Sequence, residues 1–123
     1  MVPFNKLKPH DKILLVSDAL KVTGSDALTS SVGTTPCIIE DGVCKLLDRS
    51  AFAGSIATAD RLLRVATREG GLPLTDAVKM GASNPATLMG LSKGALAAGL
   101  DADILITDEE FMPQIILKGG KEV

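Results

Sequence analysis

The sequence predicts an α/β fold, and three observations carry that prediction. Ile13-Leu14-Leu15-Val16 is a run of four aliphatic residues with no alternation, the pattern of a parallel strand buried on both faces. A stretch with helical spacing of apolar residues follows Ser55, cap and break signals mark two further helices up to Gly90, and a β-rich tail closes the chain. A carboxylate, Asp18, ends the first strand. In barrel and doubly wound folds the C-terminal ends of such strands form the floor of the active site.

Composition narrows the function classes. The 123 residues suit one domain, and 46% hydrophobic with 23% charged residues is ordinary for a globular chain. Three Phe with no Tyr or Trp leave a core of Ala, Leu, Ile, Val and Met, and argue against a surface that stacks nucleobases on rings. The net charge is −2 and the Lys and Arg residues are scattered, so a basic stripe for phosphodiester backbones is missing. Apolar runs fall short of the ~20 residues that span a bilayer, and Met1 is not followed by a secretory signal pattern. No nucleic-acid or membrane partner is expected. Cys37 and Cys44 lie seven residues apart across a turn. A hairpin disulfide is open to them, but without a sign of secretion two reduced thiols and a cytoplasmic location are expected.

The elements read in order as follows. Residues 1–11, with apolar Met1, Val2, Phe4 and Leu7, read as a helix tail and linker into a strand at 12–16. Val22 to Thr35, rich in Gly, Ser and Thr, reads as a long loop at the mouth of the site. Asp41-Gly42 between Pro36–Glu40 and Val43–Leu47 predicts a hairpin, because both turn residues tolerate positive φ. A helix to about Glu69 is predicted with Ser55 as N-cap and an apolar face of Ile56, Ala59, Leu62, Leu63 and Ala66, ended by Gly70-Gly71. Thr75 is predicted to cap a second helix that stops near Ser83, and Asn84-Pro85 to break it and start a third, ended by Gly90. Short strands are expected at Ile104–Thr107 and Gln114–Lys118, with a final turn at Gly119-Gly120.

On residues alone, Asp18 reads either as a general base or metal ligand at a pocket mouth or as a solvated strand-end Asp. Ala53-Gly54-Ser55 reads as a turn, and a glycine there also lets backbone approach a ligand closely. His10 stands alone in a Lys-Pro-His-Asp linker, and two thiols are too few for a metal site. Met80 and Met89 read as core residues. Arg61, Arg64 and Arg68 recur along one helix, and their spacing reads as a solvated face rather than a phosphate site.

Several motifs resemble the N-acetylglucosamine-6-phosphate deacetylases of the amidohydrolase superfamily. Leu15-Val16-Ser17-Asp18-Ala19 is similar to the family's last barrel strand with its catalytic Asp, and Phe52-Ala53-Gly54-Ser55 to its substrate-contacting turn. Ala82-Ser83-Asn84-Pro85-Ala86 with Leu91 and Gly94 resembles the helix pair that follows. Gly99-Leu100-Asp101-Ala102-Asp103-Ile104 resembles the start of the small β domain. The last two motifs are shared by many amidohydrolases, whereas the strand end and the Ala-Gly-Ser turn about 35 residues on are more specific.

The resemblance implies the C-terminal remnant of a (β/α)8 metallo-dependent hydrolase barrel. Residues 1–93 would be the barrel end, with an inserted hairpin at about 36–47, and 94–123 would be strands of a small β domain. It implies Asp18 as the catalytic residue and Phe52, Ala53 and Gly54 as substrate contacts. The substrate would be an amino-sugar phosphate. It implies a divalent metal, zinc or similar, in the complete enzyme, with ligands outside this chain. The isolated chain is expected to be inactive. The unpaired apolar strand at 12–16 predicts a homo-oligomer. Two alternatives stay open: another amidohydrolase, or a non-catalytic assembly module derived from the fold.

Overall fold

The computed structural model describes residues 8–123, so the first seven of residues 1–11, read as helix tail and linker, lie outside the described residues. The chain forms two compact units, Ser17–Ala59 and a second that joins the segment up to Val16 to Asp60–Val123.

The unit Ser17–Ala59 is an antiparallel meander of four strands in sequential order: β1 (Thr29–Val32), β2 (Thr35–Glu40), β3 (Val43–Leu46) and β4 (Phe52–Gly54). The predicted hairpin is present, with Glu40 paired to Val43 across Asp41 and Gly42. Their φ values of 53° and 71° are the two left-handed conformations that a two-residue turn of this hand requires. Thr29–Val32 was expected to be loop. It is a strand, because Gly33-Thr34 makes a second tight turn that sets Val32 against Thr35. Cys37 and Cys44 are fully buried and make the centre of this unit, with Val22 beside them in burial.

In the other unit, α1 (Ala59–Arg64) runs into a π-helical turn, Val65–Glu69, and ends as predicted at Gly70-Gly71. The helix starts at Ala59 rather than after Ser55. Ser55 instead accepts the Ala57 N–H on its Oγ at 3.1 Å, a local turn that precedes the helix. The next helical stretch is continuous, contrary to the predicted break at Asn84-Pro85. It comprises α2 (Leu74–Val78), a π-helical turn (Lys79–Ser83) and α3 (Asn84–Met89). Pro73, not Thr75, occupies its N-cap.

The π turn is what lets the helix carry a proline. Proline lacks an N–H and crowds the preceding turn, and widening that turn relieves both. The Asn84 N–H reaches back to the Lys79 carbonyl, five residues away. The Met80 carbonyl is thereby left for another donor, and the Leu15 N–H supplies it at 2.9 Å. Asn84 Nδ2 donates to the His10 and Ile13 carbonyls, both at 2.7 Å. His10 Nδ1 meets Asp76 Oδ2 at 2.6 Å. The segment 10–15 is thus stitched to the helix through its backbone.

That stitching replaces the predicted strand. Residues 13–17 carry no strand ladder, and Val16 is 75% exposed rather than buried on both faces. A parallel strand needs hydrogen-bonding strands alongside it, and among the described residues the next bridge along the chain is the single one from Ala19 to Ser55.

Gly90 ends α3 as predicted, in left-handed conformation, with Leu91 N–H on the Ala86 carbonyl and Gly90 N–H on the Thr87 carbonyl. Gly94 is obligatory. A Cβ on it would lie 2.8 Å from the Ala86 Cβ and 2.9 Å from the Ala82 carbonyl oxygen, and its φ is 86°. Its own carbonyl accepts the Ser83 hydroxyl at 2.6 Å. Ala77, Met80 and Ala86 are the buried core of this unit, while Met89, expected in the core, is 70% exposed.

The tail is an antiparallel sheet of β5 (Ile104–Thr107), β6 (Pro113–Lys118) and β7 (Lys121–Glu122), turned at Gly119-Gly120 as predicted. Asp103 fastens it. It accepts Lys93 Nζ at 2.7 Å and the Gly119 N–H at 2.9 Å. The Lys93 ammonium, then that N–H, hold its carboxyl down at about 2. No helix among the described residues is long and apolar enough to cross a membrane.

Candidate active site

Asp18 and Phe52–Gly54 fall in the same unit, and a parallel bridge joins the residues that follow them. Ala19 pairs with Ser55, and the Leu20 N–H donates to the Ser55 carbonyl at 2.9 Å. Asp18 stands one residue before that bridge, as Gly54 does on the other strand. Asp18 is exposed, with φ at 48°, a left-handed conformation that costs a residue with a Cβ about 1–2 kcal/mol. Phe52 is 76% exposed, Ala53 is half-buried and Gly54 is exposed. Asp18 and Gly54, both exposed, thus each stand next to one end of the bridge. A carboxylate can take a proton from a water and pass it on, while the neighbouring strand offers contacts to a bound molecule.

Sequence reasoning named Asp18, Phe52, Ala53 and Gly54 but missed Leu20. Its isobutyl group fills the space of a Gly54 Cβ, with Cδ1 2.9 Å from that position. No local pattern marks Leu20, because the contact depends on two segments more than thirty residues apart.

The other candidates separate cleanly. Among the described residues no three His, Cys, Asp or Glu side chains gather as a metal's ligands would, so the residues present do not fit the metal that the resemblance implies. Cys37 and Cys44 are free and fully buried. They sit on one face of paired strands, Cys37 opposite Leu46 and Cys44 opposite Ile39. Burial, then the neighbouring Cys37 thiol, pushes the Cys44 thiol up to about 11, so it behaves as a small hydrophobe and not as a nucleophile.

The helix arginines are not simply solvated. Arg64 donates to Asp60 at 3.1 Å and to the Glu110 carbonyl at 2.9 Å. Arg68 binds the Glu109 carbonyl and the Glu110 carboxylate. Both tether the loop ahead of β6. In the hairpin, Glu40 takes Arg49 on both oxygens and Lys45 on one, and Arg49 first, then Lys45, holds its carboxyl below its usual value.

The model of the amidohydrolase family matches residues 1–123. The chain is 32% identical over 117 residues to an N-acetylglucosamine-6-phosphate deacetylase of Lysinibacillus sphaericus, which covers 94% of this chain and 30% of that protein. The structure superposes with a TM-score of 0.84 on the N-acetylglucosamine-6-phosphate deacetylase of Thermotoga maritima, at 27% identity, over 96% of this chain and 32% of that one. It superposes at 0.86 on a mutant deacetylase of Mycobacterium smegmatis in complex with N-acetyl-D-glucosamine-6-phosphate, at 27% identity and with the same coverage. The chain spans about a third of the length of the relatives it matches.

Proposed function

The chain belongs to the amidohydrolase family, and from that premise we propose that it forms part of an N-acetylglucosamine-6-phosphate deacetylase. The complete enzyme would hydrolyse the acetamide of the sugar phosphate to acetate and glucosamine 6-phosphate. The observation that carries the reading is the Ala19–Ser55 bridge, which joins the residues that follow Asp18 and Gly54. Support comes from the relatives, whose names give the same reaction, and from the Mycobacterium smegmatis protein, which was captured with the sugar phosphate bound.

In this reading Asp18 is the catalytic residue. Its carboxylate removes a proton from the attacking water as the new C–O bond forms. It then delivers that proton to the sugar nitrogen as the C–N bond breaks, because an amide nitrogen leaves only when protonated. Phe52 offers an apolar face to the sugar ring, and the backbone of Ala53 and Gly54 contacts its polar rim. A divalent metal, zinc or similar, would be held by residues outside this chain. What this chain contributes is Asp18 and the turn.

The wider reading keeps residues 1–93 as the end of a (β/α)8 barrel and 94–123 as part of a small β domain, in a cytoplasmic, self-associating protein. The test is a chimera in which this chain replaces the matching stretch of the Lysinibacillus sphaericus deacetylase. Asp18→Asn there should lower kcat by at least ~10²-fold with KM nearly unchanged, as loss of a positioned base does. Near-normal kcat would make Asp18 a structural residue.

A further inference from the structure

The left-handed backbone of Asp18 has to be fixed by its surroundings, and the two residues after it do so. Ala19 bridges Ser55, and Leu20 hydrogen-bonds the Ser55 carbonyl. The side chain of Leu20 then closes on Gly54, its Cδ1, Cγ and Cδ2 lying 2.9, 3.0 and 3.1 Å from where a Cβ would stand. A methyl group there cannot coexist with Leu20 in its present rotamer. We infer that Leu20 and Gly54 act as a knob and socket that sets the register of Asp18 against Phe52–Gly54. Leu20 is a positioning residue, and the missing side chain of Gly54 serves Leu20 rather than a close approach of the sugar. The inference rests on the reading of Asp18 as the base.

The two uses of Gly54 predict opposite kinetics. If the sugar needs the bare Cα, Gly54→Ala weakens binding and nothing done to Leu20 repairs it. If Leu20 needs it, Gly54→Ala displaces Leu20 and with it the backbone of Asp18. Trimming Leu20 by one methylene then restores the volume and the register.

The experiment uses the chimera with the Lysinibacillus sphaericus deacetylase and N-acetylglucosamine 6-phosphate as substrate. Gly54→Ala should lower kcat at least ~10-fold, within the ~10²-fold that a 1 Å misplacement costs, with KM changed less than about twofold. Gly54→Ala with Leu20→Val should regain most of that loss. A raised KM without rescue, or an unchanged kcat in Gly54→Ala, overturns the inference. Asp18→Asn in parallel separates the two readings, since near-normal kcat in that variant refutes the base while leaving the lock to be judged on structure. That judgement comes from the 123-residue chain itself, by the amide shift and HN–Hα coupling of Asp18 in solution. Both should change in Gly54→Ala and return in the double variant, and an Asp18 signal indifferent to Gly54→Ala refutes the lock whether or not the chimera turns over.

Discussion

Asn84 is the residue whose replacement tests the architecture most directly. Its side-chain amide spans two carbonyls, His10 and Ile13, at 2.7 Å each, in a half-buried position. A net contribution of about 0.5–1.5 kcal/mol per bond gives roughly 1–3 kcal/mol lost in Asn84→Ala. Ala is the better helix former by about 0.6 kcal/mol, which lowers the expected loss to roughly 0.5–2.5 kcal/mol. For a chain of this length that is a fall in Tm of about 2–12 °C. Asn84→Asp keeps the shape but replaces two donors with a carboxylate that faces two carbonyl oxygens, so it should be less stable than Asn84→Ala. The assay is urea unfolding followed by circular dichroism, with Thr87→Ala, an exposed position in α3, as the control. The order Asn, Ala, Asp from most to least stable identifies the amide bonds as the cause. Equal stability of Asn84→Asp and the parent chain would refute the stitching of segment 10–15 to the helix.

Gly94→Ala should destabilise the chain by roughly 2–4 kcal/mol, since it combines a left-handed backbone with a clash against backbone atoms that cannot swing away; a variant within 0.5 kcal/mol of the parent in the same urea assay contradicts this. Asp103 is held below its ordinary value of 3.8, at about 2, by Lys93 and the Gly119 N–H, so its contribution is complete above 3.8 and is lost as the pH falls from there through about 2. Acid titration of Asp103→Asn should therefore show a shallower loss of stability over that window than the parent chain, and identical curves would deny the role. The isolated 123-residue chain should release no acetate from N-acetylglucosamine 6-phosphate above a metal-only blank, since its described residues gather no ligand set. With Val16 exposed and segment 13–17 without a strand ladder, the chain should self-associate, and a single monomeric mass by light scattering at high concentration would refute that.

Short-range chemistry was legible in the sequence and long-range pairing was not. Asp41-Gly42 specified its hairpin because the turn geometry resides in two residues. Gly70-Gly71 and Gly90 ended their helices for the same reason. The tail strands followed from apolar runs bounded by Gly and Pro. The strand predicted at 12–16 failed differently. Its composition is that of a buried strand, but a strand exists only where a neighbour supplies hydrogen bonds, and the Met80 carbonyl and the Asn84 amide take that place in part. Thr29–Val32 shows the converse, a Ser- and Thr-rich stretch made a strand by the partner that Gly33-Thr34 folds onto it.

Asn84-Pro85 is the instructive case. Read locally, proline after asparagine is a stop and a new cap. In the structure the helix continues, and each consequence of the proline is used. The widened turn frees the Met80 carbonyl, which Leu15 takes, and the Asn84 side chain, unused as a cap, holds His10 and Ile13. A dipeptide that resembles punctuation is therefore an attachment point for the segment that runs toward Asp18. This gives Asn84-Pro85 a physical role independent of catalysis: it fastens segment 10–15 to the helix within one unit. Pro85→Ala follows as a sharp case. It returns an N–H to the helix and removes the reason for the wide turn, so the Met80 carbonyl gains an internal competitor for Leu15. Hydrogen exchange at the Leu15 amide should accelerate in that variant while the Gly90 cap stays protected. Unchanged protection at Leu15 would show that the π turn is maintained by something other than the proline.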